Sequence, residues 1–303
     1  MEFLYTSLLP VFGLIIIGYF FKIINFPSHE FWPMADKLTY YILMPALLII
    51  KLSNAKFQSD SFEFVLVSLI AIFITLLFLL FFNKKYPIKN SSFTSVVQGG
   101  IRFNTYVFLA LCGSIFGDKG LVLSAMILTF TIPFLNILCI TIFALYSDNK
   151  QLNMFYLIKS ILTNPLIISC FIGGTINLLG ISLPTSAVNL LKILSDAALP
   201  LGLLSVGYAL VLKEIHSSKK ELFISCFAKF IVLPFFMFIS GNFFCLDKMM
   251  ISVLMLFAVL PTAPSAFMLA RQLKGDLSLM TSIITVQTLM SALFIVFVLY
   301  LFI

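Results

Sequence analysis

The chain has 303 residues, of which 61% are hydrophobic and only 10% are charged, and its mean hydropathy is +1.12. Soluble globular chains carry about 25% charged residues, so this composition excludes an ordinary soluble domain and indicates a membrane protein. The net charge of +7 does not indicate a nucleic-acid-binding protein, because the basic residues are scattered through short connections and form no stripe with aromatic side chains.

Apolar stretches of about 20 residues are long enough to cross roughly 30 Å of hydrocarbon. Charged or turn-forming clusters divide the chain into ten such stretches, which predict an all-α polytopic membrane protein. The first is interpreted as a span and not as a secretory signal, because no basic region precedes it. In chain order the predicted spans are Leu4–Ile24, Asp36–Leu52, Phe62–Phe82, Phe93–Phe116, Leu121–Tyr146, Met154–Leu179, Ala187–Leu212, Leu222–Phe244, Met249–Leu269 and Leu277–Ile303.

Lysine and arginine in the connections predict the orientation. With the N-terminus outside the cytoplasm, the inner connections hold ten of these residues and the outer connections four. Cytoplasmic connections are enriched in basic residues, so both termini are expected on the non-cytoplasmic side. The inner set is Lys22, Lys84, Lys85, Lys89, Lys150, Lys213, Lys219, Lys220, Arg271 and Lys274, and the outer set is Lys51, Lys56, Lys119 and Lys248.

Part of the sequence recurs after 155 residues. The six identities over Pro10–Leu48 pair Pro10 with Pro165, Ile17 with Ile172, Gly18 with Gly173, Lys37 with Lys192, Pro45 with Pro200 and Leu48 with Leu203. Ten spans at this offset make two repeats of five, and an odd number of crossings inverts the second repeat in the membrane. The prediction is a single transmembrane domain over residues 1–303, with repeats at 1–147 and 154–303 and a linker at 148–153.

The fourth and ninth stretches are predicted to be broken helices. Two adjacent glycines weaken the helix in VVQGGIRFNTYVF (residues 96–108), and two prolines three residues apart disfavour one in LPTAPSA (residues 260–266). The two stretches occupy corresponding positions in the two repeats, and paired interruptions of this kind point to the binding site of a transporter. Amide ends of half-helices favour an anion, whereas carbonyl ends favour a cation.

Six segments carry a resemblance through their order and spacing. They are LLPVFGLIIIGYF (residues 8–20), LMPALL (43–48), RFN (102–104), TNPL (163–166), ALPLGLLSVGYAL (198–210) and LPTAPSAFMLA (260–270). With them the chain resembles the auxin efflux carrier family, in particular the compact bacterial members called malonate or malate permeases. The long hydrophilic central loop of the plant members is missing, so auxin is a poor candidate substrate.

The resemblance implies ten helices in two inverted repeats, with the broken fourth and ninth helices crossing. The first, second, sixth and seventh helices would form a scaffold and the others a mobile part. It implies alternating-access transport of organic carboxylates across the bacterial cytoplasmic membrane, driven by a proton or cation gradient or by the membrane potential. The expected partners are the lipid bilayer and a small carboxylate, without nucleic acid or a bound cofactor, and a homodimer is one assembly to test.

The candidate substrate-binding residues come from the two interrupted stretches. They are Asn104, Arg102, Gln98, Pro261, Thr262, Ala263 and Ser265. The crossover asparagine of related carriers matches Asn104, and the second crossover matches residues 261–263. An amide such as that of Asn104 suits either a carboxylate or the backbone freed at the break. Arg102 is either a substrate contact or a group that pairs or snorkels at the break.

Four further polar residues are candidates for coupling or support, namely Lys229, Asp196, Asn136 and Gln287. Lys229 is interpreted either as an anion-site or coupling residue or as a cation that snorkels to the inner interface. Asp196 lies one helical turn from Lys192, so a local ion pair competes with a role as a buried proton carrier. For Asn136 and Gln287 the alternative role is packing between membrane helices.

Three other function classes compete with a carrier. A passive anion channel or a sodium-coupled carrier similar to bile-acid symporters would share the polar interruptions. An intramembrane enzyme is disfavoured, because His29 and His216 lie in loops and no HExxH motif is present. The five cysteines form no CxxC pair, so no metal site is expected.

Overall fold

A computed structural model describes residues 2–55, 61–146, 159, 162–212 and 218–302. Over these residues the chain is helical and contains no β-strand. The elements are α1 (Glu2–Ile23), α2 (Phe31–Leu38), π1 (Thr39–Leu43), α3 (Met44–Ser53), α4 (Ser61–Lys85), α5 (Asn90–Ile101), α6 (Thr105–Tyr146), α7 (Pro165–Leu178), α8 (Thr185–Ala209), α9 (Lys219–Phe227), π2 (Ala228–Val232), α10 (Leu233–Phe243), α11 (Lys248–Ala258), α12 (Ser265–Gln272) and α13 (Leu277–Phe302). The predicted linker 148–153 lies outside the described residues.

Seven helical segments among the described residues are long and apolar enough to cross a membrane, and α7 and α11 are shorter apolar helices. One of the seven, Asn90–Tyr146, contains two departures from regular helix. The first is the gap between α5 and α6. The second is Gly117 within α6, whose φ of 61° is a conformation that glycine adopts readily. The protein is therefore a multi-pass helical membrane protein, and its longest apolar segment is not one straight helix.

Two of the helical segments contain a π-helical turn just before a proline. Pro45 follows π1, and Pro234 follows π2. A proline removes a backbone donor and crowds the preceding turn, and a widened turn is one way to accommodate it. Single π-helical turns occur frequently at functional sites, and π2 contains Lys229.

The chain forms two structural units, and each takes segments from both halves of the sequence. The first consists of Met1–Ser61, Tyr106–Pro133 and Ile158–Ala209. The second consists of Phe62–Thr105, Phe134–Leu157 and Leu210–Ile303. Helices α1, α2, α3, α7 and α8 thus belong to the first unit, and α5 and α9 to α13 belong to the second.

In the first unit, glycines allow helices to approach closely. Helix α1 packs against α8, and α3 packs against α7. A Cβ atom on Gly18 would lie 2.1 Å from the carbonyl oxygen of Leu204, and one on Gly173 would lie 3.0 Å from the carbonyl oxygen of Ile49. Small residues at helix contacts are typical of membrane proteins, because dispersion contacts between backbones favour association there.

Tyr106 also packs within the first unit. A Cβ atom on Gly202 would lie 2.9 Å from Cγ of the Tyr106 ring, so the glycine leaves room for that ring. The Tyr106 hydroxyl donates a hydrogen bond of 3.1 Å to Oδ1 of Asp36. A half-buried carboxyl group in an apolar segment needs such a partner.

In the second unit, α5 packs against α9, α12 and α13, and α11 packs against α10 and α13. Most of α5 is buried, from Ser92 to Ile101. A helix buried on nearly all sides can carry its polar groups only if neighbouring elements provide partners for them. These partners define the site described next.

Candidate functional site at two helix interruptions

The first interruption lies between α5 and α6. Helix α5 ends at Ile101, where the Arg102 amide still donates to the carbonyl of Gln98 at 2.9 Å. Arg102 then becomes extended, with φ −78° and ψ 159°, and α6 begins at Thr105. The sequence GGIRFN thus contains the break that its composition predicts.

The second interruption lies between α11 and α12. Helix α11 ends at Ala258, and α12 begins at Ser265. The six residues between them include Pro261 and Pro264, which do not donate backbone hydrogen bonds. Thr262 in the middle of this segment is fully buried.

Hydrogen bonds join the two interruptions inside the second unit. The Thr262 amide donates to Oε1 of Gln287 at 3.0 Å, and the Thr262 hydroxyl donates to the carbonyl of Gly99 at 3.1 Å. Nε2 of Gln287 donates to the same carbonyl of Gly99 at 3.0 Å. Broken helices expose backbone groups that find no water in hydrocarbon, and here Thr262 and Gln287 satisfy them.

Ser225 on α9 belongs to this network, although the sequence did not single it out. Its hydroxyl donates to the carbonyl of Val96 and accepts from Nε2 of Gln287, both at 3.4 Å. A Cβ atom on Gly99 would lie 2.1 Å from this hydroxyl oxygen, so the glycine makes the contact sterically possible. The sequence feature that could have identified Ser225 is its polar side chain one helical turn before Lys229.

Lys229 on π2 lies inside the second unit and is fully buried. Its ammonium group donates to the carbonyl of Arg102 at 3.1 Å and lies 5.9 Å from the centroid of the Phe257 ring. Such a position over an aromatic ring attracts a cation. The ammonium therefore contacts the first interruption and does not extend along the surface of the unit.

The guanidinium group of Arg102 lies beside the start of α12. Its Nη2 is 3.4 Å from the Ser265 hydroxyl, and its Nη1 is buried without a hydrogen bond to any described residue. Among the described residues, the ion pair present is Lys51 with Asp118, so neither Arg102 nor Lys229 is paired with an acidic side chain. The Arg102 guanidinium, which has no acidic partner among the described residues, makes this region electropositive.

Other predicted residues from the two interruptions also lie in the second unit. Asn104 is almost completely buried in the first interruption, Pro261 is buried in the second, and Ala263 is partly exposed there. Gln98 is fully buried, and its Nε2 donates a weak bond of 3.8 Å to the Met280 sulfur. Its Oε1 has no hydrogen-bond partner in the described part of the chain.

Two predicted residues lie apart from these contacts. Asp196 is exposed on α8 in the first unit, and it forms no ion pair with Lys192 although both residues are described. Asn136 is half-buried on α6, and no hydrogen bond between described residues links it to the interruptions. Nine of the eleven predicted residues, Gln287 among them, thus lie at the two interruptions or contact them, whereas Asp196 and Asn136 do not.

Helices long enough to span a bilayer, with buried polar groups at two interruptions, are typical of membrane transporters, and the family and the relatives below show that the protein is a membrane transporter and not an enzyme. The chain belongs to the family described as membrane transport protein, whose model matches residues 3–300; this is the auxin efflux carrier family that the sequence segments predicted. It is 24% identical over 295 residues to an uncharacterized transporter of Methanocaldococcus jannaschii, with 94% of each chain covered. It is also 24% identical over 312 residues to a Rhizobium meliloti protein named "Putative malonate transporter", with 97% of this chain and 94% of the relative covered.

Proposed function

We propose that the protein is a secondary active transporter of small organic anions, either mono- or dicarboxylates, that binds its substrate at the two helix interruptions. The observation that carries this proposal is the Arg102 guanidinium, which neighbours the Cys139 thiol, has no acidic partner among the described residues, and has a buried Nη1 without a hydrogen bond of normal geometry to a described residue. A carboxylate can accept two parallel hydrogen bonds from one guanidinium group. An anion at this position would supply the missing partner.

The local electrostatics also favour an anion. Helices α6 and α12 begin at the interruptions, at Thr105 and Ser265. The amide end of a helix carries a partial positive charge of about half an elementary charge, and it is a common binding position for carboxylates. Asn104 lies directly before α6 and offers two amide donors.

We further propose ten helices in two inverted repeats, and contacts in the first unit support a pseudo-two-fold relation between the repeats. Gly18 packs on the carbonyl of Leu204, and Gly173 packs on the carbonyl of Ile49. The same offset of 155 residues relates Gly18 to Gly173 and Ile49 to Leu204. Each repeat thus gives its glycine to a backbone position of the other repeat, as expected for a pseudo-two-fold arrangement.

The division into units supports alternating access. The first unit contains α1, α2, α3, α7 and α8, which correspond to the predicted first, second, sixth and seventh spans. These are the spans for which the family resemblance implies a scaffold. The second unit contains both interruptions, as a mobile substrate-carrying part would. Residues 106–133 are an exception, because they belong to the predicted fourth and fifth spans but lie in the first unit.

We further propose a location in a bacterial cytoplasmic membrane with both termini on the non-cytoplasmic side. The support is the distribution of basic residues, ten in the inner connections against four in the outer ones. Alkaline phosphatase and green fluorescent protein fused in turn to the C-terminus test the orientation. A fluorescent, phosphatase-inactive C-terminus would show that the orientation is reversed.

The test of transport is uptake of labelled malonate, succinate and acetate into proteoliposomes, guided by a thermal-shift screen of small carboxylates at two pH values with and without sodium. Malonate is included because the name of the Rhizobium meliloti relative contains it. We expect saturable uptake that depends on an ion gradient or a membrane potential. Rapid flux without saturation would indicate a passive anion channel, and an obligatory sodium gradient would favour a carrier similar to bile-acid symporters. No binding or flux of any carboxylate would refute the proposal.

Variants test the site itself. Arg102→Gln should weaken carboxylate binding about 10- to 100-fold, because a hydrogen bond to a charged group contributes about 1.5–3 kcal/mol. Arg271→Gln is the matched control, since Arg271 is exposed in the last turn of α12. Asn104→Ala should also lose binding while the yield of folded protein stays near normal. Equal affinities for the Arg102 and Arg271 variants would remove Arg102 from the site.

A further inference from the structure

The carbonyl end of α5 is capped by side chains from other elements. The last carbonyls of a helix have no partner within the helix. Here the carbonyl of Gly99 accepts from Thr262 and Gln287. The carbonyl of Arg102, just beyond the helix, accepts from Lys229 at 3.1 Å and from the Thr262 hydroxyl at 3.4 Å. Of these three capping side chains, only that of Lys229 can carry a positive charge.

A cation is the natural occupant of this position. The carbonyl end of a helix carries about half a negative elementary charge, and in broken helices of transporters such ends bind Na⁺. The Phe257 ring adds its negative face, with the Lys229 ammonium 5.9 Å from the ring centroid. No acidic side chain pairs with Lys229 among the described residues, so carbonyl groups and an aromatic ring provide its electrostatic partners.

We propose that Lys229 is a positioning residue that supplies a tethered cation to the carbonyl end of the first interruption, so that no free Na⁺ is required at this position. The ammonium neutralises the carbonyl end and holds the Arg102 backbone, which leaves the Arg102 guanidinium directed to Ser265 and to an anion. The effect expected on the rate of carboxylate uptake rests on the proposed transport function. The effect expected on the Tm can be measured without a substrate.

The first experiment measures thermal unfolding without substrate, at constant ionic strength, in sodium, methylammonium or choline chloride. We expect the Tm of the wild-type protein to be the same in the three salts. Lys229→Ala should have a lower Tm that is partly regained in sodium or methylammonium but not in choline, because choline is too large for the space left by one side chain. Lys248→Ala is the control, since Lys248 is exposed at the start of α11.

The second experiment separates charge from direct substrate contact. Lys229→Met removes the charge at similar length, whereas Lys229→Arg retains it. For a tethered cation, we expect Lys229→Met to lower the maximal rate of carboxylate uptake at least about tenfold and Lys229→Arg to restore much of it. An increase in KM alone, with no cation effect on the Tm of Lys229→Ala, would mean that Lys229 contacts the substrate directly and would overturn the proposal.

If the Lys229→Ala variant does not fold, the Tm and the uptake rate of the wild-type protein still test the inference. A wild-type Tm or uptake rate that rises specifically with sodium would show that a free cation is still needed, and the inference would be wrong while carboxylate transport stands. Conversely, absence of carboxylate flux in every salt, together with recovery of the Lys229→Ala Tm in methylammonium, would refute the transport proposal and support the tethered cation. The two failures are therefore distinguishable.

Discussion

Replacement of Gln287 by leucine tests whether the hydrogen bonds between the two interruptions stabilise the protein. The substitution keeps the size of the side chain and removes three hydrogen bonds, which join Gln287 to the Thr262 amide, the Gly99 carbonyl and the Ser225 hydroxyl. The carbonyl of Gly99 keeps its bond from the Thr262 hydroxyl, and Ser225 keeps its bond to Val96. The buried amide of Thr262 loses its acceptor, Oε1 of Gln287.

The loss of stability can be worked out from the Gln287 side chain and its three hydrogen-bond partners. Side-chain hydrogen bonds in membrane proteins contribute about 0.6 kcal/mol each, so the two bonds to Gly99 and Ser225, whose groups keep another partner, contribute about 1 kcal/mol. A buried donor left without a partner costs about 1–3 kcal/mol. The free energy of unfolding should fall by about 3 kcal/mol, before the gain from placing an apolar side chain in a dry interior.

Gln98→Leu is the matched control, because it makes the same substitution at an equally buried position. Among the described residues, Nε2 of Gln98 donates only to the Met280 sulfur, at 3.8 Å, and Oε1 of Gln98 accepts no hydrogen bond. Its replacement should therefore be neutral or stabilising. The gain from apolar burial is common to both variants, so it cancels in their difference.

The assay is reversible unfolding in mixed micelles by titration with sodium dodecyl sulfate, followed by circular dichroism. We expect the two leucine variants to differ by about 3 kcal/mol, with Gln287→Leu the less stable. Equal stability of the two variants would refute the reasoning, because the hydrogen bonds between the interruptions would then contribute nothing measurable. A carboxylate-binding measurement on Gln98→Leu separately tests whether that amide contacts the substrate.

Two further predictions concern close packing and a half-buried carboxyl group. Gly99→Ala should lower the free energy of unfolding by roughly 1–3 kcal/mol, because the added Cβ atom would lie 2.1 Å from Oγ of Ser225. Gly174→Ala, with no atom within 4 Å of its added Cβ, should instead stabilise the protein by roughly 0.5–1 kcal/mol, and the same titration measures both. Tyr106→Phe removes the hydrogen bond to Asp36 and should cost roughly 1–2 kcal/mol. In an Asp36→Asn background the Tyr106→Phe cost should shrink, and an unchanged cost in this double-mutant cycle would show that the pair does not interact.

The interruptions could be predicted from the sequence because their causes are local. Adjacent glycines weaken a helix wherever it lies, and Pro261 and Pro264 remove donors whatever surrounds them. The groups that repair the breaks were harder to predict. The sequence predicts Gln287 only as a candidate for coupling or support and does not predict Ser225, since a polar side chain on a helix does not by itself distinguish a network member from an ordinary helix contact.

The sequence also could not decide between two roles for several charged residues. For Lys229 the sequence suggests either an anion-site or coupling residue or a cation that snorkels to the inner interface, and the structure has the side chain fully buried against the Arg102 carbonyl. For Asp196 the sequence suggested an ion pair or a buried proton carrier, whereas the structure has it exposed and without an ion pair to Lys192. Depth along a span can be read from the sequence, but the direction in which a side chain leaves the helix cannot.

The sequence by itself determined the class of the protein, the family, and the two places where helices break, because hydrophobic length and backbone chemistry act over a few residues. The tertiary structure decided which polar groups meet at those breaks. Thr262 and Gly99 are 163 positions apart, and Gln287 and Gly99 are 188 apart. In a soluble helix an apolar stripe marks the buried face, but in a membrane both the lipid-facing and the core-facing sides are apolar. Helix rotation therefore leaves little trace in this sequence, and only packing in three dimensions establishes it.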